Sequence, residues 1–78
     1  MERERFVGRV VEEPVARGSK SEHSAVQIVT AAGMFVLRRP GGNPFRDPVL
    51  EGLVGKQIEG LGIRKGYTIF LDSWSVLS

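Results

Sequence analysis

Ala25-Val26-Gln27-Ile28-Val29-Thr30-Ala31-Ala32-Gly33-Met34-Phe35-Val36-Leu37-Arg38-Arg39 is the stretch whose reading decides the fold. Two apolar, β-branched runs flank a small-residue turn signal, which is the pattern of a β-hairpin. If residues 30 and 35 flank the turn, Ile28 faces Leu37, Val29 faces Val36, and Gln27 faces Arg38. Val26, Ile28 and Thr30 then share a side with Phe35 and Leu37, the better core face. Ala25, Gln27, Val29, Val36 and Arg38 fall on the other side. Ala-Gly is a weaker turn signal than Asn-Gly, so a slip of register stays open.

Working outward, residues 6–11 read as a first strand, stopped by Glu12-Glu13-Pro14, with Gly8 a candidate bend or bulge. Residues 25–30 and 34–39 are strands two and three. Residues 47–55 read as one short helix. Asp47 suits the N-cap, Pro48 the first helical position and Gly55 the C-terminal stop. Val49 or Leu50 with Leu53 and Val54 gives that helix an apolar stripe, and Gly52 weakens it. Residues 56–63 and 67–77 are strands four and five, joined by Arg64-Lys65-Gly66.

The chain has 78 residues, enough for one domain, residues 1–78, with residues 1–5 expected as a frayed, solvated start. A chain this size buries roughly 60–65% of its unfolded surface. Hydrophobic residues make up 41% and charged residues 26%, the balance of a globular domain. There is no Cys, which removes disulfides and thiol chemistry. No stretch has the roughly 18 apolar residues of a membrane span, and the start lacks the apolar segment of a secretory signal. A cytoplasmic location in a bacterium-like cell is the expectation.

Net charge is +2, but it is unevenly spread. Residues 1–13 carry three Arg and four Glu, net −1. Residues 14–46 carry Arg17, Lys20, Arg38, Arg39 and Arg46 against Glu22, net +4. Residues 47–78 carry three bases and four acids, net −1. The positive excess therefore lies in two Gly-punctuated loops, residues 17–23 and 38–46. Clustered charge focuses a local field. In an antiparallel hairpin the start of strand two lies beside the end of strand three, which brings both loops to one end of the molecule. Gly and Ser backbone N–H groups can cradle an anion there, and Arg forks add bidentate contacts.

Three strands, a short helix and a two-strand hairpin follow one another in this chain. That order resembles the OB fold, a five-stranded, partly open barrel. The segment Leu53-Val54-Gly55-Lys56-Gln57-Ile58-Glu59-Gly60-Leu61-Gly62-Ile63, with Gly66-Tyr67-Thr68-Ile69-Phe70-Leu71, is similar to the last third of many small OB domains. The resemblance implies an all-β barrel with one short helix. An SH3-like barrel is the alternative, and the helix between strands three and four favours OB. Fold alone does not fix function.

Other chemistries fit less well. Gly18-Ser19-Lys20-Ser21 echoes a phosphate-binding P-loop, but Ser19 precedes Lys20 and a strand follows. His23 is the single histidine, and a metal site around it lacks ligands. Pairing His23 with Ser19 or Ser21 as base and nucleophile finds no pocket in so small a barrel. No enzyme, cofactor or metal is expected. Phe6, Phe35 and Trp74 have core roles, which leaves Phe45, Tyr67 and Phe70 as rings for stacking bases. Val29 with Val36, and Leu61 with Phe70, fall on outward parity and suggest a partner surface.

The expectation is a non-enzymatic binding module. It contacts nucleic acid or another polyanion through Arg17, Ser19, Lys20, Ser21, His23, Arg38, Arg39, Asn43, Phe45 and Arg46. Single-stranded nucleic acid or an acidic protein is the expected partner. The alternative is a structural or protein-interaction module, a homodimer or accessory subunit, using the apolar outer face. If Arg39 shares the core face with Leu37, it must emerge at the rim, and unfolding on Arg38→Ala with Arg39→Ala would show that its charge is structural.

Overall fold

The structure, a computed structural model, describes residues 3–15, 23–42 and 47–78. It is mostly β, a single five-stranded sheet closing in a ring, with one tiny helix. The strands are β1 (Glu4–Val15), β2 (His23–Thr30), β3 (Gly33–Arg38), β4 (Gln57–Lys65) and β5 (Thr68–Val76); α1 (Pro48–Glu51) lies between β3 and β4. The order around the ring is β1-β2-β3-β5-β4, and β4 returns to β1. All pairs are antiparallel except β3 with β5.

The hairpin expected from residues 25–39 forms, with a two-residue slip. Thr30 pairs with Gly33, Val29 with Met34, Ile28 with Phe35 and Gln27 with Val36. A slip of two preserves the side each residue takes. Ile28, Phe35 and Leu37 are therefore buried as expected, and Val26 packs against the core. Thr30 tightens the turn: its hydroxyl accepts from Ala32 N–H at 3.1 Å and donates to the Gly33 carbonyl at 3.0 Å. Gln27 departs from the expected exposed face. It is only 6% exposed, and its Nε2 donates to the Glu13 carbonyl at 3.2 Å.

β1 is longer than residues 6–11. Glu4 and Arg5, expected in a frayed start, lie in the ladder with β4. The strand pairs with β4 over residues 4–9 and with β2 over residues 9–15, changing partner at Arg9. Pro14 does not stop it, because beyond Arg9 the strand has a single neighbour and the missing N–H is not needed. At the change of partner the strands close up. A Cβ on Gly8 would sit well under 3.0 Å from the Val29 carbonyl, so only Gly fits. Gly62 is confined in the same way by the Phe70 carbonyl, beside a β-bulge between Leu61 and Gly62. The bulge leaves Asp72 unopposed and shifts the parity of β5. Ile69 and Leu71 point inward before it, and Trp74 packs on the core after it.

The core is Phe6, Val10, Ile28, Phe35, Leu37, Leu50, Leu53, Ile58, Ile69 and Leu71. α1 closes one end of it. The helix is a single turn, shorter than residues 47–55, because Gly52 is already its C-cap. One turn is not stable alone. Burial of Leu50 and Leu53 holds it, at about 1.5–3 kcal/mol each. Val49 and Val54 stay exposed. Backbone bonds then tie the segment after α1 to β1, from Gly55 N–H to the Val10 carbonyl at 2.7 Å and from Val10 N–H to the Lys56 carbonyl at 2.9 Å.

Close approach makes a direct prediction. Gly8→Ala should cost about 2–4 kcal/mol, since backbone must move to admit a methyl group. Gly66→Ala, at φ 59° with open space around it, should cost only about 1–2 kcal/mol. Denaturant melts of the two variants read the difference directly.

Candidate anion-binding face

β3 pairs with β2 only as far as Val36 and then runs beside β5. Val36 is opposite Thr68, Leu37 opposite Ile69, and Arg38 opposite Phe70. Val36 N–H also donates to the Tyr67 carbonyl at 2.8 Å, drawing the β4–β5 turn against β3. Since Leu37 and Ile69 point inward, Arg38 and Phe70 point outward together. Arg38 is exposed and the Phe70 ring is half-buried. From the other side, Lys65 Nζ lies 5.9 Å from the Phe70 ring centroid, within cation–π range. Tyr67 is 81% exposed at the adjoining turn. A ring flanked by cations on the two neighbouring strands has the chemistry to meet a phosphate backbone and stack a base.

Not every cation nearby shares this arrangement. Arg39 reaches across to Asp47. Its Nε donates to Asp47 Oδ2 at 2.7 Å and its Nη2 to Oδ1 at 2.9 Å, a bidentate pair. The same carboxylate accepts from Val49 N–H at 3.1 Å, so Asp47 caps α1 as the sequence predicts. The hydrogen bonds from Arg39 hold the Asp47 carboxyl below the usual range; burial opposes this and Val49 N–H reinforces it. Arg39 therefore clasps the two ends of the segment between β3 and α1. Arg3 pairs with Asp72, and Arg5 Nη2 with Glu59 Oε2 at 2.6 Å.

Of the residues singled out in the sequence, Arg38 and Arg39 stand at the end of β3, and His23 opens β2 opposite Val15. Arg17, Ser19, Lys20, Ser21, Asn43, Phe45 and Arg46 lie outside the described residues. Strand direction puts the end of β1, the start of β2 and the end of β3 at the same end of the ring. The β2–β3 ladder, however, stops well short of His23. Lys65 escapes sequence reasoning, which places it in the turn with Arg64 and Gly66; it is instead the last residue of β4, paired with Thr68. Among the described residues, no helix is long and apolar enough to cross a membrane, and no three metal-ligating side chains cluster.

The clasp predicts a pH dependence. Asp47 has a lowered folded pKa, so its contribution to stability is fully present above the ordinary aspartate value of about 3.9 and is lost as pH falls through the folded value. Wild-type stability should drop over that acidic range, and Asp47→Asn should flatten the drop. Asp47→Ala should cost at least the roughly 1 kcal/mol of a lost N-cap, and more than Asp47→Asn, which keeps a capping oxygen. Arg39→Ala should lower the melting temperature, and Arg38→Ala should leave it unchanged. Denaturant and thermal melts across pH check these outcomes.

No protein-family model, no curated protein and no solved structure matches this chain.

Proposed function

We propose that the chain is a small OB-like barrel that binds single-stranded nucleic acid without catalysis. The observation that carries this reading is the outward Phe70 ring set between Arg38 and Lys65. Phosphates meet the two cations, and a base stacks on Phe70 or on the exposed Tyr67. The reading takes in Arg17, Ser19, Lys20, Ser21, His23, Asn43, Phe45 and Arg46 as singled out in the sequence, of which all but His23 lie outside the described residues. Arg39, named with them in the sequence, is instead paired with Asp47. The strand order β1-β2-β3-β5-β4, with a helix between β3 and β4, supports the OB-like assignment.

A second reading rests on a separate observation. Met34, Val29, Val7 and Leu61 follow one another outward across β3, β2, β1 and β4, each 40–44% exposed. Arg9 and the Arg5–Glu59 ion pair stand among them on the same face, and exposed apolar side chains gathered on one face of a small domain favour an interaction site. On this reading the chain is an interaction module, a homodimer or an accessory subunit.

Fluorescence anisotropy with labelled single-stranded and duplex oligonucleotides, at low and moderate salt, tests the first reading. Binding should be micromolar or weaker and steeply salt-dependent. Arg38→Ala with Lys65→Ala should weaken it at least tenfold and reduce the salt slope by about 0.7 for each phosphate that is no longer neutralised. No binding at low salt overturns the reading. A stable dimer by light scattering, indifferent to oligonucleotide and dissociated by Val29→Lys, favours the second.

A further inference from the structure

β5 changes its neighbours along its length. From Thr68 to Phe70 it runs between β3 and β4, and from Leu71 to Val76, among the described residues, it pairs with β4 alone. The side of β5 that β3 leaves is therefore an open edge. Ser73, Ser75, Val76 and Leu77 are exposed along it, Val76 by 50% and Leu77 by 52%. Alternation decides which backbone groups face this edge. Leu77 N–H donates to the Gln57 carbonyl at 2.7 Å, so Ser75 and Ser73 also turn their N–H and C=O groups toward β4. Those of Trp74 and Val76 point the other way, and among the described residues no backbone group meets them.

An open edge is a template for pairing unless charge or proline blunts it. β1 beyond Arg9 also pairs with one strand only, and it carries Glu12, Glu13 and Pro14. Two copies opposed there would bring carboxylates together and lack an N–H. β2 from His23 to Val26 has β1 on one side, and its other side opens beside the end of β3, where Arg38 stands. The β5 edge has neither device. Ser73-Trp74-Ser75-Val76-Leu77 holds no charge and no Pro, and Asp72, just before it, is already paired with Arg3.

We propose that this edge pairs, antiparallel, with the same edge of a second copy of the chain. With Ser75 on the two-fold axis, Trp74 of each copy lies opposite Val76 of the other, and the two exchange N–H···O=C bonds on both sides of the axis. The register is self-complementary, as a contact between like surfaces requires. It sets an aromatic ring against a β-branched side chain, a favourable cross-strand pair. It also brings Leu77 opposite Ser73 of the other copy, on the outward side that carries Leu61, itself 44% exposed and the partner of Ser73 in the ladder. The β4–β5 sheet of one copy thereby continues into that of the other. The contact runs along a strand edge, not over the face of Val29 and Met34, and it does not depend on nucleic-acid binding.

Sedimentation of the full chain from micromolar to millimolar concentration tests the pairing, with amide hydrogen exchange as the local readout. The apparent mass should rise from that of one chain toward that of two. Exchange at the Trp74 and Val76 amides should slow as concentration rises, while the Ser73 and Ser75 amides should be slow throughout. Val76→Pro removes an N–H that β4 does not use, so the single chain keeps its fold. It should weaken pairing about tenfold or more, since half of the bonds between copies are lost. Ser75→Glu should weaken it as well, because it sets carboxylates side by side across the axis, each next to Glu59. An equal mixture of Ser75→Glu and Ser75→Lys should restore the pair. A chain that stays single at millimolar concentration overturns the proposal, as does a pair indifferent to both Val76→Pro and Ser75→Glu. So does a pair dissolved by Val29→Lys but not by Val76→Pro, which places the contact on the outer apolar face. Protection of Trp74 and Val76 by an unrelated extended peptide, but not by rising concentration, overturns it too and makes the edge a peptide site.

Discussion

The short parallel ladder between β3 and β5 is the pairing on which the rest of the structure depends. It consists of Val36 with Thr68, Leu37 with Ile69 and Arg38 with Phe70. Without it, β3 and β5 would both be open edges, with unpaired N–H and C=O groups exposed to other chains. With it, the sheet closes and two inward residues, Leu37 and Ile69, meet at the centre of the core. The same alternation places Arg38 and Phe70 together outside. Closure and the candidate face are thus two consequences of one pairing.

Closing a ring of only five strands requires sharp changes of direction. The chain supplies them at defined points. Gly8 admits the Val29 carbonyl where β1 changes partner, and the Asp72 bulge resets β5 so that Trp74 faces the core. One end of the ring is covered by α1, whose single turn depends on its Asp47 cap and on the buried Leu50 and Leu53. Arg39 then ties the end of β3 to that cap. Positive charge near the rim divides accordingly. Arg39 holds the structure, and Arg38, one residue away on the opposite side of the strand, is presented outward.

Much of this is legible in the residues themselves. Period-two alternation identifies Ile28, Phe35 and Leu37 as core, and it survives a two-residue error in register because such an error does not change sides. The Asp47-Pro48 pair marks the helix start. Pro14 misleads, because its effect depends on how many neighbours the strand has, which is a property of the whole sheet. Arg38 can be singled out from local charge. Its partner cannot, since no local pattern announces that β3 leaves β2 for the distant strand β5. Lys65 is hidden for the same reason, because its role exists only once Phe70 is outside and beside Arg38.

The most direct measurement is of backbone NOEs between β3 and β5 in solution. The parallel ladder predicts cross-peaks from Leu37 to Ile69 and from Arg38 to Phe70, with a Val36 amide slow to exchange. Absence of these cross-peaks, with the β3 amides beyond Val36 exchanging as an open edge, would contradict ring closure and the face built upon it.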